Sequence, residues 1–217
     1  MSGRADPLPR DVLITRDSRL EPNQVDQFRS IYMESFPASE RDDFDELVQQ
    51  ILQGKRWLFT VKKGESVLGI AVLLPAITPR VHLLEYLAIL RESRSRGLGS
   101  GLLNEISNHL RFSASGILLE VEAPEVGAGE EIRFRRRRIE FYLRNGAHVV
   151  ECAPCYRAPN LAGPGTVDMK LMWLPLDSAP VPTGAQLADD VVAIYTKSYQ
   201  FPANDPLVQR GLDDLIC

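Results

Sequence analysis

Residues 94–101 read Arg-Ser-Arg-Gly-Leu-Gly-Ser-Gly, between an apolar, strand-like stretch (Val81 to Leu90) and a helix-like one (Leu98 to Phe112). A glycine-rich bend at a helix start exposes backbone N–H groups that have no acceptor within the helix. The helix dipole adds partial positive charge at the same point. Together they make a site for phosphate. The glycines allow close backbone approach, and Arg94 and Arg96 add charges that pair with phosphate oxygens. The spacing excludes two common nucleotide motifs. Glycines at 97, 99 and 101 do not match G-x-G-x-x-G, and no Gly-Lys-Ser/Thr follows.

The pattern that fits is Arg/Gln-x-x-Gly-x-Gly/Ala, carried by Arg94, Gly97 and Gly99. With Tyr142 four residues before Gly146, it resembles the GCN5-related N-acetyltransferases over residues 11 to 175. The resemblance implies acetyl-CoA, or another acyl-CoA with coenzyme A as product, bound along residues 94–100: Arg94, Ser95, Arg96, Gly97, Leu98, Gly99 and Ser100. It implies that Leu87, Ala88 and Ile89 pair with the pantetheine amides and supply oxyanion donors. The chain departs from the family where Arg91 replaces a proline and Ser95 a glycine. Arg135 and Arg138 replace an asparagine and an alanine on the helix of Tyr142. They share that face, so a CoA phosphate or an acceptor carboxylate is their expected partner, unless the whole arginine run is a solvated face.

Composition sets the outer limits. The chain has 217 residues, 44% hydrophobic and 25% charged, as in an ordinary globular protein. A net charge of −4 argues against nucleic-acid binding. No apolar run approaches the roughly 20 residues that cross a bilayer, and residues 1–10 read as a mobile tail rather than a secretory signal. Three cysteines are too few for a disulfide framework, so a cytoplasmic location is expected. Cys152-Ala-Pro-Cys155 lacks the second pair that structural zinc needs and reads as two unpaired thiols at a strand bend.

Periodicity predicts a first strand at Val12–Thr15 and helices over Pro22–Phe36 and Ser39–Gln53, with Ser39 capping the second. A hairpin follows (Arg56–Val61, Ser66–Ala76), then strands at Val81–Leu90, Gly116–Ala123, Ala147–Cys152 and Val167–Leu174. Further helices are expected over Leu98–Phe112 and Glu130–Asn145, the latter closed by Gly146. The implied fold is α/β: a mixed, mainly antiparallel twisted sheet of about seven strands flanked by helices. Residues 176–184 form a proline-rich linker. Residues 185–217 form a helical extension, expected to pack on the main domain. Closing the acceptor cleft and making a homodimer contact stay open as alternatives.

Acyl transfer to an amine needs the amine deprotonated. A lysine-like amine of pKa about 10.4 is charged at pH 7, and its free form costs about 4.6 kcal/mol. Glu85, on the strand feeding the bend, is the leading base, as the resemblance implies, with apolar neighbours expected to raise its pKa. Glu120 and Glu122 share a strand face and are alternatives, either as bases or as a site for a cationic acceptor. His82 is a further alternative. Tyr142 takes the family's role of acid for the CoA thiolate. Phe36, Glu40 and Arg41, at the joint of the first two helices, are the candidate grip on a small-molecule or peptide acceptor. Two rival functions remain: a longer-chain acyltransferase and a non-catalytic CoA sensor. The size of Leu87, Leu90 and Phe141 does not settle the acyl length.

Overall fold

The computed structural model describes residue 9 and residues 11–126 and 128–216. The tail expected at residues 1–10 therefore lies almost wholly outside the described residues. Two compact units emerge. One comprises the chain up to Pro75 with Leu84–Leu110; the other comprises Ala76–Leu83 with the chain from Arg111 onward.

The first unit carries β1 (Leu13–Asp17), β2 (Trp57–Lys63) and most of β3 (Ser66–Thr78) and β4 (Val81–Ile89). It also carries α1 (Pro22–Ser35), α2 (Phe44–Leu52) and α3 (Leu98–Leu110). β1 pairs antiparallel with β2, and β2 with β3. α1 starts with a capping box between Glu21 and Gln24 and with proline in its first turn. Its buried face of Phe28, Ile31 and Tyr32 joins Phe44 and Leu47 of α2 and Leu58, Ile70 and Tyr86 of the sheet in one core. Ser39 does not cap α2. Residues Ala38–Glu40 form a separate 3₁₀ turn, and the Asp43 carboxylate accepts from the N–H groups of Asp45 and Glu46. Asp43 is the cap because it directly precedes Phe44, where α2 begins, and aspartate is among the preferred caps.

β3 lies so close to β4 that a Cβ on Gly69 would meet Ile89 Cδ1 at 2.4 Å and the Ala88 carbonyl oxygen at 3.0 Å. The sequence marks Gly69 only as a glycine in a strand, which often signals such an approach.

The second unit carries β5 (Gly116–Glu122), α4 (Glu130–Arg144), β6 (His148–Val149), β7 (Arg157–Pro159), β8 (Thr166–Pro175), α5 (Gly184–Ala193) and α6 (Pro206–Asp213). The strand order is β1-β2-β3-β4-β5-β8-β6, with β7 also pairing β8. The eighth strand, β7, escaped the periodicity reading because it has three residues and ends in Pro159. The strand expected at Ala147–Cys152 shrinks to His148–Val149. After Val150 donates to the Leu171 carbonyl, the chain turns, with Ala153 N–H bonded back to Val150. Cys155 is free and exposed. Cys152, expected to be an unpaired thiol, is instead disulfide-bonded. The chain's last described residue lies beside it, where Ile216 N–H donates to the Cys152 carbonyl at 3.0 Å.

The C-terminal extension belongs to this unit. Leu187, Val191, Ile194 and Tyr195 are fully buried, and α5 runs on into a π-helical turn over Ile194–Ser198. Asp190 accepts from the Thr78 hydroxyl at 2.7 Å. Tyr195 donates to the Arg157 carbonyl, and its ring lies where a Cβ on Gly211 of α6 would sit.

Gly116 opens β5 against the fully buried Trp173, whose ring would lie 2.2 Å from an added Cβ. Gly116→Ala is expected to destabilise the protein by roughly 1–3 kcal/mol through overpacking. That should appear as a fall of several degrees in thermal melts. Gly163→Ala, where nothing lies within 4 Å, is the control and should not shift.

Candidate active site

In the first unit, β4 ends at Ile89 and a 3₁₀ turn over Arg91–Ser93 leads to the glycine bend. The chain passes through two left-handed residues, Ser95 (φ 62°) and Gly97 (φ 74°), before α3 begins. The first helical bond runs from Gly101 N–H to the Gly97 carbonyl at 2.9 Å. The N–H groups of Gly97, Leu98, Gly99 and Ser100 thus precede the first intrahelical donor. Residues 94–97 are exposed and Leu98 is buried, which anchors the helix while its start stays open. Arg94 Nε donates to the Ile89 carbonyl at 2.9 Å, tying the bend to the end of β4. One of the carbonyls proposed for pantetheine is therefore already engaged. Ala88 is buried, while Leu87 and Ile89 are partly exposed.

Glu85 lies 2.6 Å from Arg56 Nε, and both side chains are almost fully buried. A carboxylate in a buried ion pair is bound to its partner, because removing either member strands the other. The structure thus gives Glu85 a neighbour that the sequence reading did not foresee, a guanidinium from the start of β2. Next to it on β4, the Tyr86 hydroxyl donates to the Asp42 carboxylate and accepts from Asp42 N–H, both at 3.1 Å. Tyr32 donates to the Asp42 carbonyl at 3.2 Å. Burial pushes the Asp42 carboxyl and both phenols up.

The expected acceptor grip is occupied with structure. Arg41 donates to the Met33 and Phe36 carbonyls at 2.8 and 3.0 Å, satisfying the C-terminal end of α1. Phe36 packs its ring on Tyr32 and Tyr86. Glu40 sits in the 3₁₀ turn.

In the second unit, the two glutamates of β5 have opposite surroundings. Glu122 is neutralised: Arg135 lies 3.0 Å from one oxygen and Arg138 2.9 Å from the other. Arg135 also donates to the Ala123 and Val126 carbonyls. The two arginines read as CoA or acceptor ligands thus hold the loop after β5 to α4, while Arg133, Arg136 and Arg137 are exposed. Glu120 has no cation within ion-pair distance among the described residues. Its two oxygens accept from Tyr156 Oη at 2.7 Å and Tyr199 Oη at 2.9 Å. Dense surroundings push its carboxyl from an ordinary 4.5 up to about 7, against the lowering effect of the two phenols. It still keeps some solvent exposure.

Tyr142 is buried on α4, its ring edge-on to Phe141, and its hydroxyl has no hydrogen-bond partner among the described residues. Burial pushes it up to about 12, opposed by Arg138. It therefore stays protonated at neutral pH with its donor unspent. His82 is buried and accepts at Nδ1 from Ala76 N–H at 3.3 Å. Among the described residues no group of three His, Cys, Asp or Glu could hold a metal, and no helix is long and apolar enough to cross a membrane. Tyr156, Tyr199 and Arg56 were not legible as site residues: none stands at a telling spacing from the carboxylate it meets.

The acetyltransferase (GNAT) family model matches residues 25–147. Among solved structures, a GNAT-family acetyltransferase from Bacteroides thetaiotaomicron is similar over 88% of this chain and 99% of its own (20% identity, TM-score 0.66). An aminoglycoside 6'-N-acetyltransferase complexed with coenzyme A is similar over 77% and 99% (18%, 0.61). The ribosomal-protein-S18-alanine N-acetyltransferase from Escherichia coli is similar over 78% and 96% (17%, 0.55). No curated protein sequence matches.

The Glu120 shift has a stability consequence with a definite sign. A carboxyl raised from 4.5 to about 7 keeps its proton in the native state where the unfolded chain has lost it. Its contribution is full below pH 4.5 and is lost as pH rises to about 7, by about 3 kcal/mol. Glu120→Gln removes that loss. Its stability relative to wild type should improve by about 3 kcal/mol between pH 4 and pH 8 in denaturant melts.

Proposed function

The chain belongs to the acetyltransferase (GNAT) family, and from that premise we propose that it transfers an acetyl or other acyl group from acyl-CoA to a primary amine of a small molecule or peptide. Attack is direct, with both substrates bound. The observation that carries this reading is the open start of α3. Four successive N–H groups and a left-handed glycine sit at the end of a strand, with Arg94 and Arg96 beside them. A diphosphate fits that donor set, since it offers several anionic acceptors to backbone N–H groups.

Acyl-CoA supplies an activated carbonyl. The protein's own groups do the rest. The N–H groups of residues 97–100 hold the diphosphate, and the partly exposed Leu87 and Ile89 pair with the pantetheine amides, the Ile89 carbonyl being shared with Arg94. Tyr142 acts as acid toward the departing thiolate: its hydroxyl is protonated at neutral pH and has no hydrogen-bond partner among the described residues. Glu85 holds Arg56, the residue that leads into β2. Its part is to keep β4 in place, and the proton acceptor is a different carboxylate.

Titration calorimetry with coenzyme A should show saturable binding. Gly97→Val, which puts a branched side chain at φ 74°, should weaken it at least about ten-fold with the melting transition retained. Tyr142→Phe should leave CoA affinity unchanged and lower kcat on the order of 100-fold, read as thiol release from acetyl-CoA with a panel of primary amines. Absence of CoA binding to folded protein would overturn the reading.

A further inference from the structure

We propose that the C-terminal extension completes the acceptor site: Tyr199, with Tyr156, holds Glu120 as a cation-free carboxylate that receives the acceptor's ammonium group and takes its proton. The inference rests on the acyl-transfer reading above and names the substrate class, a positively charged primary amine.

The geometry argues for a built site. Each Glu120 oxygen has one phenol donor, at 2.7 and 2.9 Å. A carboxylate carries about four lone-pair sites, so two directions remain for a ligand's N–H groups. Tyr156 and Tyr199 flank Tyr195, with ring centroids 6.0 and 6.2 Å from it. The two rings whose hydroxyls hold the acid are thus packed on one buried aromatic neighbour, which fixes their direction.

On β5 its same-face neighbour is Glu122, already held by Arg135 and Arg138 of α4. Across the pairing on β8 stand Leu171 and Met169, both apolar. From the segment before β7 and from the extension come the phenols of Tyr156 and Tyr199. Arg157 is committed to Asp168 and Asp214. Among the described residues, Glu120 has no ion-pair partner of its own.

The contrast with the other two carboxylates makes the assignment specific. Glu85 and Glu122 are each bound to arginine, whereas Glu120 has only neutral donors. A carboxylate poised near neutrality takes a proton from an ammonium far more readily than an ordinary one. The step balances. An N–H bond of the ammonium breaks and an O–H bond forms on Glu120. The freed lone pair attacks the acyl carbon, and the proton on Glu120 later returns to solvent. Tyr156 and Tyr199 are positioning residues. They orient the carboxylate and, by donating to its charged form, keep its pKa from rising further. The family match ends at residue 147, so both tyrosines lie in segments that it does not cover.

The test follows the Glu120 carboxyl carbon by NMR in protein labelled at glutamate side-chain carboxyls, with and without n-butylammonium as the probe. A resonance missing from Glu120→Gln should titrate near pH 7 in wild type. Its midpoint should fall when n-butylammonium is added, because a bound cation favours the charged form. In Tyr199→Phe the midpoint should rise by about one unit, the loss of one hydrogen bond to a charged acceptor. In the thiol-release assay, Glu120→Gln should cost on the order of 100-fold in kcat/KM at pH 7, and Tyr199→Phe should move the pH limb by the same unit. Calorimetric CoA affinity should stay unchanged in both variants. A Glu120 resonance that titrates near pH 4, or that n-butylammonium leaves unmoved, would overturn the inference even with CoA binding intact. Loss of CoA binding in wild type would instead strike the acyl-transfer reading.

Discussion

The chain must leave a strand and enter a helix with that helix's first donors unspent, and much of the first unit answers to this constraint. Ser95 and Gly97 take left-handed backbone to make the bend. Arg94 gives its side chain to the Ile89 carbonyl, which fixes the strand end relative to the bend. Leu98, Leu102, Ile106 and Leu110 bury the helix below, so its start cannot drift. Gly69 then lets β3 close on Ala88 and Ile89 from the side. Each of these would be a modest preference alone. Together they hold one row of N–H groups in a fixed direction, as a phosphate site requires.

Three glutamates, Glu85, Glu120 and Glu122, show how partners rather than residue type decide chemistry. All three sit on strands; the sequence made Glu85 the leading base and Glu120 and Glu122 alternatives, as bases or cation ligands. Glu85 meets a guanidinium at 2.6 Å in a buried setting. Glu122 meets two. Each of these pairs joins two segments, the residue before β2 with β4 in one case and β5 with α4 in the other, so their charge is spent on assembly. Glu120 faces phenols, which orient a carboxylate without cancelling it. That difference sets Glu120 apart from the other two.

The fold was legible where a local rule had a single solution. The glycine bend, the Tyr142-to-Gly146 spacing that ends α4 at a left-handed glycine (φ 88°), and the apolar stripe of α1 all read straight off the chain. Reading failed where the outcome hung on a distant partner. Ser39 is a good cap by type, yet Asp43 caps α2 because the 3₁₀ turn before it delays the helix start. β7 is too short for alternation to show and exists because Thr166–Asp168 offers it a ladder. Arg41, Arg135 and Arg138 looked like ligand-binding charges. In the structure each satisfies carbonyls or a carboxylate left over by a neighbouring element. No spacing rule reports such debts, since the groups involved are up to 16 residues apart.

Keeping Glu120 without a cation works against stability. Burial drives its carboxyl to about 7, so around neutral pH the native state holds an ionised group in surroundings that disfavour it. A third arginine pair of the kind seen at Glu85 and Glu122 would remove the penalty, and so would a glutamine. Instead the chain spends two tyrosines on the carboxylate, one of them from beyond β8 in a segment that ends in a π-helical turn. π turns are uncommon and concentrate at functional sites. Here the turn covers Ile194–Ser198 and directly precedes Tyr199, the residue that reaches Glu120. A helix kept regular through this stretch would turn the following side chains to other directions. The irregular backbone, the cation-free acid and the two neutral donors thus point to the same end: a carboxylate held in reserve for a charge that the protein does not itself contain.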